Sequence, residues 1–325
     1  MNLSYKLHAC LSFPNLVPNE TGQNVFLDSH RGLRFYVRFY PPERRKDYVY
    51  AREVARFLQG RVRVPAIFDT GAIRSEGTTY RYITEHEAEG RPFRFTTENS
   101  VVLARELKRW HSLPPSKFLR LRGRELYEKK LRSLKKRIGA EPVKRIEAIY
   151  RKVAAEDIFQ DPIVSHGDLA LDNVILQDAG PCWVDLEQVS LRPRLADLSE
   201  LICYLLLPNV IDFVEGRSGP EDVEAVSGIT AFLEEYGDSG CDIGSPLLAR
   251  WVLLHFLFSA AYLVHPGMPK LRRKPPLLNK NPELPMRQRI YMVTMESLEG
   301  SLDATPLGIV SSLKKGLRAL RDRDA

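Results

Sequence analysis

The sequence predicts an α+β protein in which a small antiparallel-sheet lobe precedes a larger, mostly helical lobe. Short runs of aromatic and β-branched residues, which favour strands, are concentrated before residue 88. Apolar residues at helical spacing dominate after it. A polar loop between two short apolar runs interrupts the helical part at residues 163–176. We therefore divide the chain into an N-terminal lobe, residues 1–88, and a C-terminal lobe, residues 89–325.

Local patterns predict the elements of the first lobe. Residues 25–40 predict two strands joined by a turn at 29–32, because aromatic and β-branched residues flank a polar segment with a glycine. A helix is expected over 47–59, where apolar residues recur at helical spacing before a glycine stop. The segments 63–71 and 78–90 predict two further short strands.

The second lobe is predicted to be a series of helices around the polar loop. Helical patterns cover residues 101–113, 123–156, 195–207, 220–236, 246–264, 287–299 and 309–321. Short strands are expected at both ends of the loop. The proline-rich, basic segment 265–285 predicts an irregular loop. The apolar run 251–264 is too short to span a bilayer and predicts a buried helix.

Composition indicates a soluble globular protein. Of 325 residues, 44% are hydrophobic and 27% are charged, which argues against a disordered chain. The net charge of +7 suits anionic ligands such as nucleotides. The four cysteines form no CxxC pair, which argues against a zinc site or a disulfide framework and favours a cytoplasmic location. The N-terminus lacks the pattern of a signal peptide.

The polar loop contains the residues that indicate chemistry. Asp168 and Asn173 are five residues apart in "HGDLALDN", and Asp185 follows the next apolar strand in "WVDLEQ". Such a set suits phosphoryl transfer, because one carboxylate can accept the proton of an attacking hydroxyl. The other carboxylate and the amide oxygen can hold Mg²⁺ on a triphosphate. The D-x4-N spacing followed by a strand and an aspartate is typical of kinase catalytic loops.

The segments "HGDLALDNVIL" and "WVDLEQ" resemble the aminoglycoside phosphotransferase and choline kinase-like family, a branch of the protein-kinase fold. Other segments agree in order: "AREVARFLQGRVRVPAIFDTG" resembles the family's helix C and the next strand, "LARELKRWHSLP" resembles a later helix, and "PRLADLSELI" resembles the segment after the metal-binding strand. The resemblance implies a bilobal protein-kinase-like fold. It makes 1–88 the nucleotide-binding lobe and 89–325 the catalytic and substrate-binding lobe.

The resemblance also implies roles for individual residues of the polar loop and the strand after it. Asp168 would be the catalytic base, and His166 would support the geometry of its loop. Asn173 and Asp185 would be the ligands of Mg²⁺.

Nucleotide-binding roles are implied for residues of the first lobe. Gly22 and Asn24 belong to the segment that would cover the phosphates, although this segment is poor in glycine. Arg38 stands where the family has a strand lysine, and Glu53 on the following helix would be its ion-pair partner. Arginine can bind phosphate oxygens bidentately, so this departure is compatible with activity.

The resulting interpretation is an ATP-dependent phosphotransferase that transfers the γ-phosphate to a hydroxyl of a small molecule, such as an aminoglycoside, an amino alcohol or a sugar. ATP and Mg²⁺ are the expected cofactors, with GTP left open as the donor. No nucleic-acid partner and no membrane span are expected.

Two alternatives come from other classes of protein. A nucleotide-binding pseudokinase scaffold is suggested by Arg38 and the glycine-poor loop, but the complete set of Asp168, Asn173 and Asp185 argues against it. A nucleic-acid-binding protein is suggested by the net charge and by "KLRRK" at 270–274. This run lacks interleaved aromatic residues for base stacking, so this alternative ranks last.

Overall fold

The chain forms two compact units in a computed structural model that describes residues 23–28, 34–75, 77–138, 140–155, 162–214, 225–237 and 246–264, with Gly308 and Lys315. Unit 1 comprises Met1–Pro92, Ser116–Leu119 and Asn173–Val189. Unit 2 comprises Phe93–Pro115, Arg120–Asp172 and Ser190–Ala325. The lobe boundary expected at residue 88 stays a prediction.

The described residues form helices and short antiparallel strands, which confirms the predicted α+β class. In chain order the strands are β1 (Gln23–Asp28), β2 (Arg34–Tyr40), β3 (Ile67–Ser75), β4 (Thr78–His86), β5 (Arg91–Pro92), β6 (Ile163–Ser165), β7 (Val174–Gln177), β8 (Gly180–Trp183) and β9 (Ser190–Arg192). The helices are α1 (Arg45–Leu58), α2 (Thr97–His111), α3 (Arg124–Ile138), α4 (Ala140–Ala155), α5 (Arg194–Val214), α6 (Ala225–Gly237) and α7 (Pro246–Val264).

Unit 1 is built on a four-stranded antiparallel sheet in the order β1-β2-β4-β3. The predicted hairpin strands and the two later strands are all present in it. In the central strand β2, both Val37 and Phe39 are buried, and so is Arg38 between them. A residue between two buried neighbours points to the opposite face of the sheet, so both faces of β2 are covered.

Helix α1 packs on this sheet through one apolar face, which comprises Tyr48, Val54, Ala55 and Leu58. The Tyr48 ring meets the Tyr40 ring of β2 edge to face, with ring centroids 5.7 Å apart. The helix starts at Arg45 rather than at the predicted residue 47. Gly60 follows it with a φ of +74°, a conformation that glycine adopts at little cost and that ends the helix.

Unit 1 also contains a second sheet, in the order β5-β7-β8. This sheet brings Asn173–Val189 into unit 1 from a distant part of the sequence. The Trp183 N–H donates to the carbonyl of Arg63 at 2.9 Å, which joins β8 to the segment before β3. Strand β2 and the segment Asn173–Val189 are therefore parts of one compact unit.

Unit 2 is mostly helical, and a short antiparallel pair, β6 with β9, lies in it. Its core contains the fully buried rings of Trp110, Tyr127 and Trp251. The single helix predicted over 123–156 is wrong, because α3 and α4 are separate helices that pack against each other. The sequence has glycine at 139 and proline at 142, both of which disfavour a continuous helix.

Other predicted elements differ in extent or cannot be compared. Helix α5 extends to Val214, beyond the predicted end at residue 207, and α6 is described only from Ala225. The predicted helices 287–299 and 309–321 and the loop 265–285 lie outside the described residues, apart from Lys315 within a helix. Of the helices that the structure describes, none has the length and apolar content needed to cross a membrane. A cytoplasmic location stays a prediction.

A buried histidine in α7 makes the stability of unit 2 sensitive to acid. The His255 ring stacks on Tyr127, and its Nδ1 lies 3.4 Å from the Ser199 hydroxyl. Burial, reinforced by the cations of Lys130 and Arg192, holds the pKa of His255 well below its ordinary value. The unfolded chain therefore binds a proton that the folded chain resists. We expect the free energy of unfolding to fall as the pH drops below about 6.5, by up to about 1.4 kcal/mol per pH unit.

Urea unfolding of the parent and of His255→Gln at about pH 7.5 and about pH 5.5 measures this effect. Groups other than His255 titrate in both proteins, so their contributions cancel when the two are compared. The stability of the variant should therefore depend less on pH than that of the parent. Equal pH dependence in the two proteins would contradict a neutral, buried His255.

Candidate functional site

The loop that contains Asp168 follows strand β6 in unit 2. Strand β6 ends at Ser165, which pairs with Ser190 of β9. Gly167 then has a φ of +80°, a left-handed conformation that strains any residue with a Cβ atom. The glycine of "HGD" is therefore required by the turn that places Asp168 after the strand.

A buried carboxylate on α5 anchors the backbone of this loop. Asp197 accepts hydrogen bonds from the Ser165 hydroxyl, from the His166 N–H at 3.1 Å and from His111 Nε2 at 3.2 Å. His111 Nδ1 lies 2.6 Å from the Tyr236 hydroxyl, which completes the network. Burial by itself raises the pKa of Asp197, but the hydrogen bonds from His111 and Ser165 and the nearby charges of His111 and Arg192 together hold the pKa below its ordinary value. The loop is thus fixed two residues before Asp168.

His166 is fully buried, and its ring lies against Trp110 with ring centroids 5.4 Å apart. Its backbone N–H is one of the donors to Asp197. The structure therefore places His166 in the packed base of the loop. Its role in supporting the loop geometry stays a prediction.

The Asp168 carboxylate is contacted from α5. The Tyr204 hydroxyl donates to Asp168 Oδ1 at 3.3 Å. Burial, together with the nearby carboxylates of Glu200 and Asp168, raises the pKa of Tyr204 well above its ordinary value. The phenol therefore stays protonated and remains a donor to Asp168.

Asp168 lies in a group of partly buried charges that we call the charged recess, which comprises Lys130, Asp168, Arg192, Glu200 and Tyr204. Arg192 Nη1 lies 3.3 Å from Glu200 Oε2, and its Nε donates to a serine hydroxyl of β9. Burial raises the pKa of Glu200 to about 7, although Arg192 and Lys130 oppose this shift. Charges from α3, β9 and α5 thus meet at the end of the loop.

Helix α5 contributes a stripe of side chains to this arrangement. Asp197, Glu200 and Tyr204 are three and four residues apart, which places them on one face of a helix. Asp197 holds the start of the loop, and Tyr204 holds the Asp168 side chain. The polar pattern D-x-x-E-x-x-x-Y in the sequence is the signal that could have identified this face.

Unit 1 contains a cavity of about 330 Å³. The apolar residues of its lining include Pro65, Ala88, Ile175 and Val184. The polar residues of its lining include Arg38, Glu85, Asn173 and Asp185. Three residues predicted from the sequence, Arg38, Asn173 and Asp185, therefore line one cavity.

The β7–β8 hairpin brings Asn173 and Asp185 together. Val174 pairs with Trp183, and the Val184 N–H donates to the Asn173 carbonyl at 2.9 Å. The residues just outside this pairing, Asn173 and Asp185, are therefore at the same end of the hairpin. Asp185 has φ 59° and ψ 61°, and no other non-glycine residue in the described part of the chain has positive φ. Such strained backbone is concentrated at functional sites.

The donor atoms at this hairpin end fit a hard divalent cation. The amide oxygen of Asn173 and the carboxylate of Asp185 are oxygen ligands of the type that Mg²⁺ prefers. Within the described ranges there is no group of three or more His, Cys, Asp or Glu side chains arranged for a metal. A metal held by Asn173 and Asp185 would therefore take its other ligands from a bound phosphate and from water.

Arg38 is the cation of this cavity. Its Nε lies 3.4 Å from Glu187 Oε1, and its Nη2 lies 3.7 Å from Asp185 Oδ1. Burial by itself lowers the pKa of Arg38, but the surrounding acidic groups raise it well above its ordinary value; these groups are Tyr40, Glu187, Glu85 and Asp185. A permanent positive charge thus lies beside the predicted metal ligand.

The predicted ion pair between Arg38 and Glu53 is wrong. Glu53 Oε1 instead lies 3.0 Å from Arg52 Nη2 and 3.6 Å from Arg56 Nη1, and its side chain is 40% exposed. Helix α1 is oriented about its own axis so that its apolar residues face the sheet, and Glu53 is not on that face. Glu187, two residues after Asp185, pairs with Arg38.

The remaining predicted nucleotide-binding residues are only partly described. Gly22 lies outside the described residues. Asn24 lies on β1, where its backbone is opposite Arg38. Glu85 on β4 was not predicted, because a carboxylate in a strand has no special sequence pattern. Burial and the nearby carboxylates raise the pKa of Glu85, with Arg38 opposing the shift.

The four-stranded sheet with its single helix, the helical second unit and the loop with D-x4-N define a protein-kinase-like fold of the phosphotransferase type. The sequence profile of the phosphotransferase enzyme family, APH, matches residues 17–225. The chain belongs to this family, which confirms the predicted resemblance.

Solved structures show the same fold at low sequence identity. The amicoumacin kinase hAmiN, solved with AMP-PNP and Ca²⁺, is 13% identical, with a TM-score of 0.65 over 96% of this chain and 97% of its own. A type VIII aminoglycoside-3′-phosphotransferase is 17% identical, with a TM-score of 0.51 over 78% and 98%. A choline/ethanolamine kinase family protein from Mesorhizobium loti is 14% identical, with a TM-score of 0.51 over 97% and 100%.

No curated protein matches the chain significantly in sequence. Family membership places the chain among phosphotransferases. The pseudokinase alternative receives no support from these similarities.

Proposed function

We propose that this protein is a kinase that transfers the γ-phosphate of ATP to a hydroxyl group of a small molecule, with Mg²⁺ bound to the nucleotide. The observation that supports this most directly is the cavity of unit 1, whose lining includes Arg38, Asn173 and Asp185. Its volume of about 330 Å³ lies within the range of small-molecule sites. The amicoumacin kinase of similar fold was solved with a nucleotide analogue and a divalent cation.

The apolar and the polar residues that line the cavity suit the base and the phosphates of a nucleotide, respectively. Ile175 and Val184 offer apolar contact to a base, whereas Arg38 offers a guanidinium to phosphate oxygens. Asn173 and Asp185 would hold Mg²⁺. When bound, the metal would neutralise charge on the transferred phosphoryl group.

Asp168 is the proposed general base. The acceptor oxygen attacks the γ-phosphorus, the bond from that phosphorus to the leaving ADP oxygen breaks, and the hydroxyl proton passes to the Asp168 carboxylate. Asp197 fixes the loop backbone, and Tyr204 fixes the carboxylate itself. The chain thus uses α5 to hold the base in a defined orientation.

A panel of hydroxyl compounds tests the proposal. Sugars, amino alcohols, aminoglycosides and nucleosides are each incubated with Mg²⁺ and either ATP or GTP, and formation of the nucleoside diphosphate is followed. We expect at least one compound to raise this rate above the rate without acceptor, with its phosphate ester seen by mass spectrometry. Absence of both stimulation and Mg²⁺-dependent nucleotide binding would contradict the proposal.

Tyr204→Phe tests the orientation of the base. Loss of a hydrogen bond to a charged group should lower kcat by about tenfold or more and leave the KM for ATP nearly unchanged.

Tyr150→Phe is the matched control, since its hydroxyl donates to the Arg124 carbonyl in another part of unit 2. It should leave both kcat and the KM for ATP unchanged. An unchanged kcat in Tyr204→Phe would show that Tyr204 only packs against the loop.

A further inference from the structure

Lys130 on α3 has an unusual environment in the charged recess. Its Nζ lies 5.6 Å from the ring centroid of Tyr127 and 5.8 Å from that of Phe258. No hydrogen bond or ion pair joins this ammonium to any residue in the described part of the chain. Burial lowers the pKa of Lys130, with Glu200 and other nearby charges modifying the shift. The cation is therefore removed from much of the water without an acceptor oxygen from any residue that the structure describes.

The nearby carboxylates already have other partners. Glu200 is paired with Arg192, and Asp168 accepts the Tyr204 hydrogen bond. Both carboxylates interact electrostatically with Lys130, but neither lies within ion-pair distance of Nζ. An ammonium in such surroundings is costly unless an acceptor satisfies its donors. A bound molecule with a negatively charged oxygen would supply that acceptor.

We propose that Lys130 recognises a carboxylate on the acceptor, so that the molecule phosphorylated is a hydroxy acid rather than a neutral or purely cationic alcohol. This inference rests on the proposed function, because it takes Asp168 as the base for the acceptor hydroxyl. A carboxylate suits the recess better than a phosphate group does. Asp168 and Glu200 would repel a doubly charged phosphate more strongly than a singly charged carboxylate.

Matched pairs of acceptors test the proposal. The pairs are serine and ethanolamine, glycerate and glycerol, and homoserine and 3-aminopropan-1-ol, in which the first member has the carboxylate. We expect the acid of at least one pair to have the higher kcat/KM. Lys130→Met should lower kcat/KM for that acid by at least about tenfold and lower that of the neutral or cationic member much less, so that the preference for the acid is lost.

Two further variants serve as controls. Lys129→Met removes an exposed ammonium from the neighbouring position of the same helix and should leave the preference for the acid intact. Lys130→Arg keeps the charge and should retain part of the preference. Circular dichroism and the midpoint of thermal unfolding show whether each variant is folded.

Binding is measured separately from turnover, as the rise in thermal unfolding midpoint that each compound causes. If an acid stabilises the parent but not Lys130→Met and no compound is phosphorylated, the carboxylate site is supported and the proposed kinase activity fails. If compounds are phosphorylated but the acids are neither preferred nor bound more tightly, the activity is supported and the Lys130 inference is overturned. Equal binding and turnover of acid and partner in all variants overturns it as well.

Discussion

Replacing Asp168 with alanine is expected to lower kcat by about 10²–10⁴-fold, the usual contribution of a general base. The affinity for the Mg²⁺–nucleotide complex should stay within a few-fold of the parent, because the cavity with Arg38, Asn173 and Asp185 is formed by residues of unit 1. Asp168 lies on a loop of unit 2, where Asp197 anchors the loop. Steady-state kinetics with an accepted hydroxyl compound, together with calorimetric nucleotide titration, measure the two quantities.

The exposed Asp178 in the β7–β8 turn provides the control. Asp178→Ala also removes one carboxylate, at a position close to the Asp168 loop in the sequence, and should leave kcat unchanged. Full activity in Asp168→Ala would remove Asp168 from the mechanism. A parallel loss of nucleotide affinity would indicate instead that Asp168 binds the nucleotide.

Replacing Asp185 with asparagine is expected to weaken nucleotide binding in the presence of Mg²⁺ much more than in its absence. Asparagine keeps an oxygen but removes the negative charge that a hard divalent cation requires. Substitution of residues that only support metal ligands typically lowers metal affinity or activity by about 10–100-fold. If Asp185 is itself a ligand, its substitution should therefore lower kcat/KM by at least about 100-fold. Titration calorimetry with and without Mg²⁺ measures the difference in affinity.

Asparagine is the informative substitution at this position because the backbone of Asp185 is left-handed, with φ 59°. Asparagine tolerates this conformation better than most residues, so the hairpin end should keep its shape. Asp178→Asn is the control for the chemical change. Equal losses of affinity with and without Mg²⁺ would show that Asp185 acts through its contact with Arg38 rather than through a metal.

The sequence by itself predicted the class of fold, which the structure confirms, and the residues of the loop from which we infer its chemistry. In the strands β2 and β4 and in the helix α1, the type of element follows from the residues of the segment itself, through the spacing and kind of their apolar side chains. The motif could be read because Asp168 and Asn173 are five residues apart and only one short hairpin separates Asn173 from Asp185. Gly167 is part of the same motif, because the turn between β6 and Asp168 requires a positive φ at this position.

Only the tertiary structure decided which side chains meet. The partner of Arg38 is Glu187 rather than Glu53, because burial of the apolar face of α1 sets the rotation of that helix and exposes Glu53. Lys130 and Tyr204 come from different helices to the surroundings of Asp168, and local spacing contains no information about such distant pairs. The periodicity of apolar residues determines whether a segment forms a helix or a strand. Contacts between residues that are distant in the sequence depend on how these segments pack to bury their apolar faces.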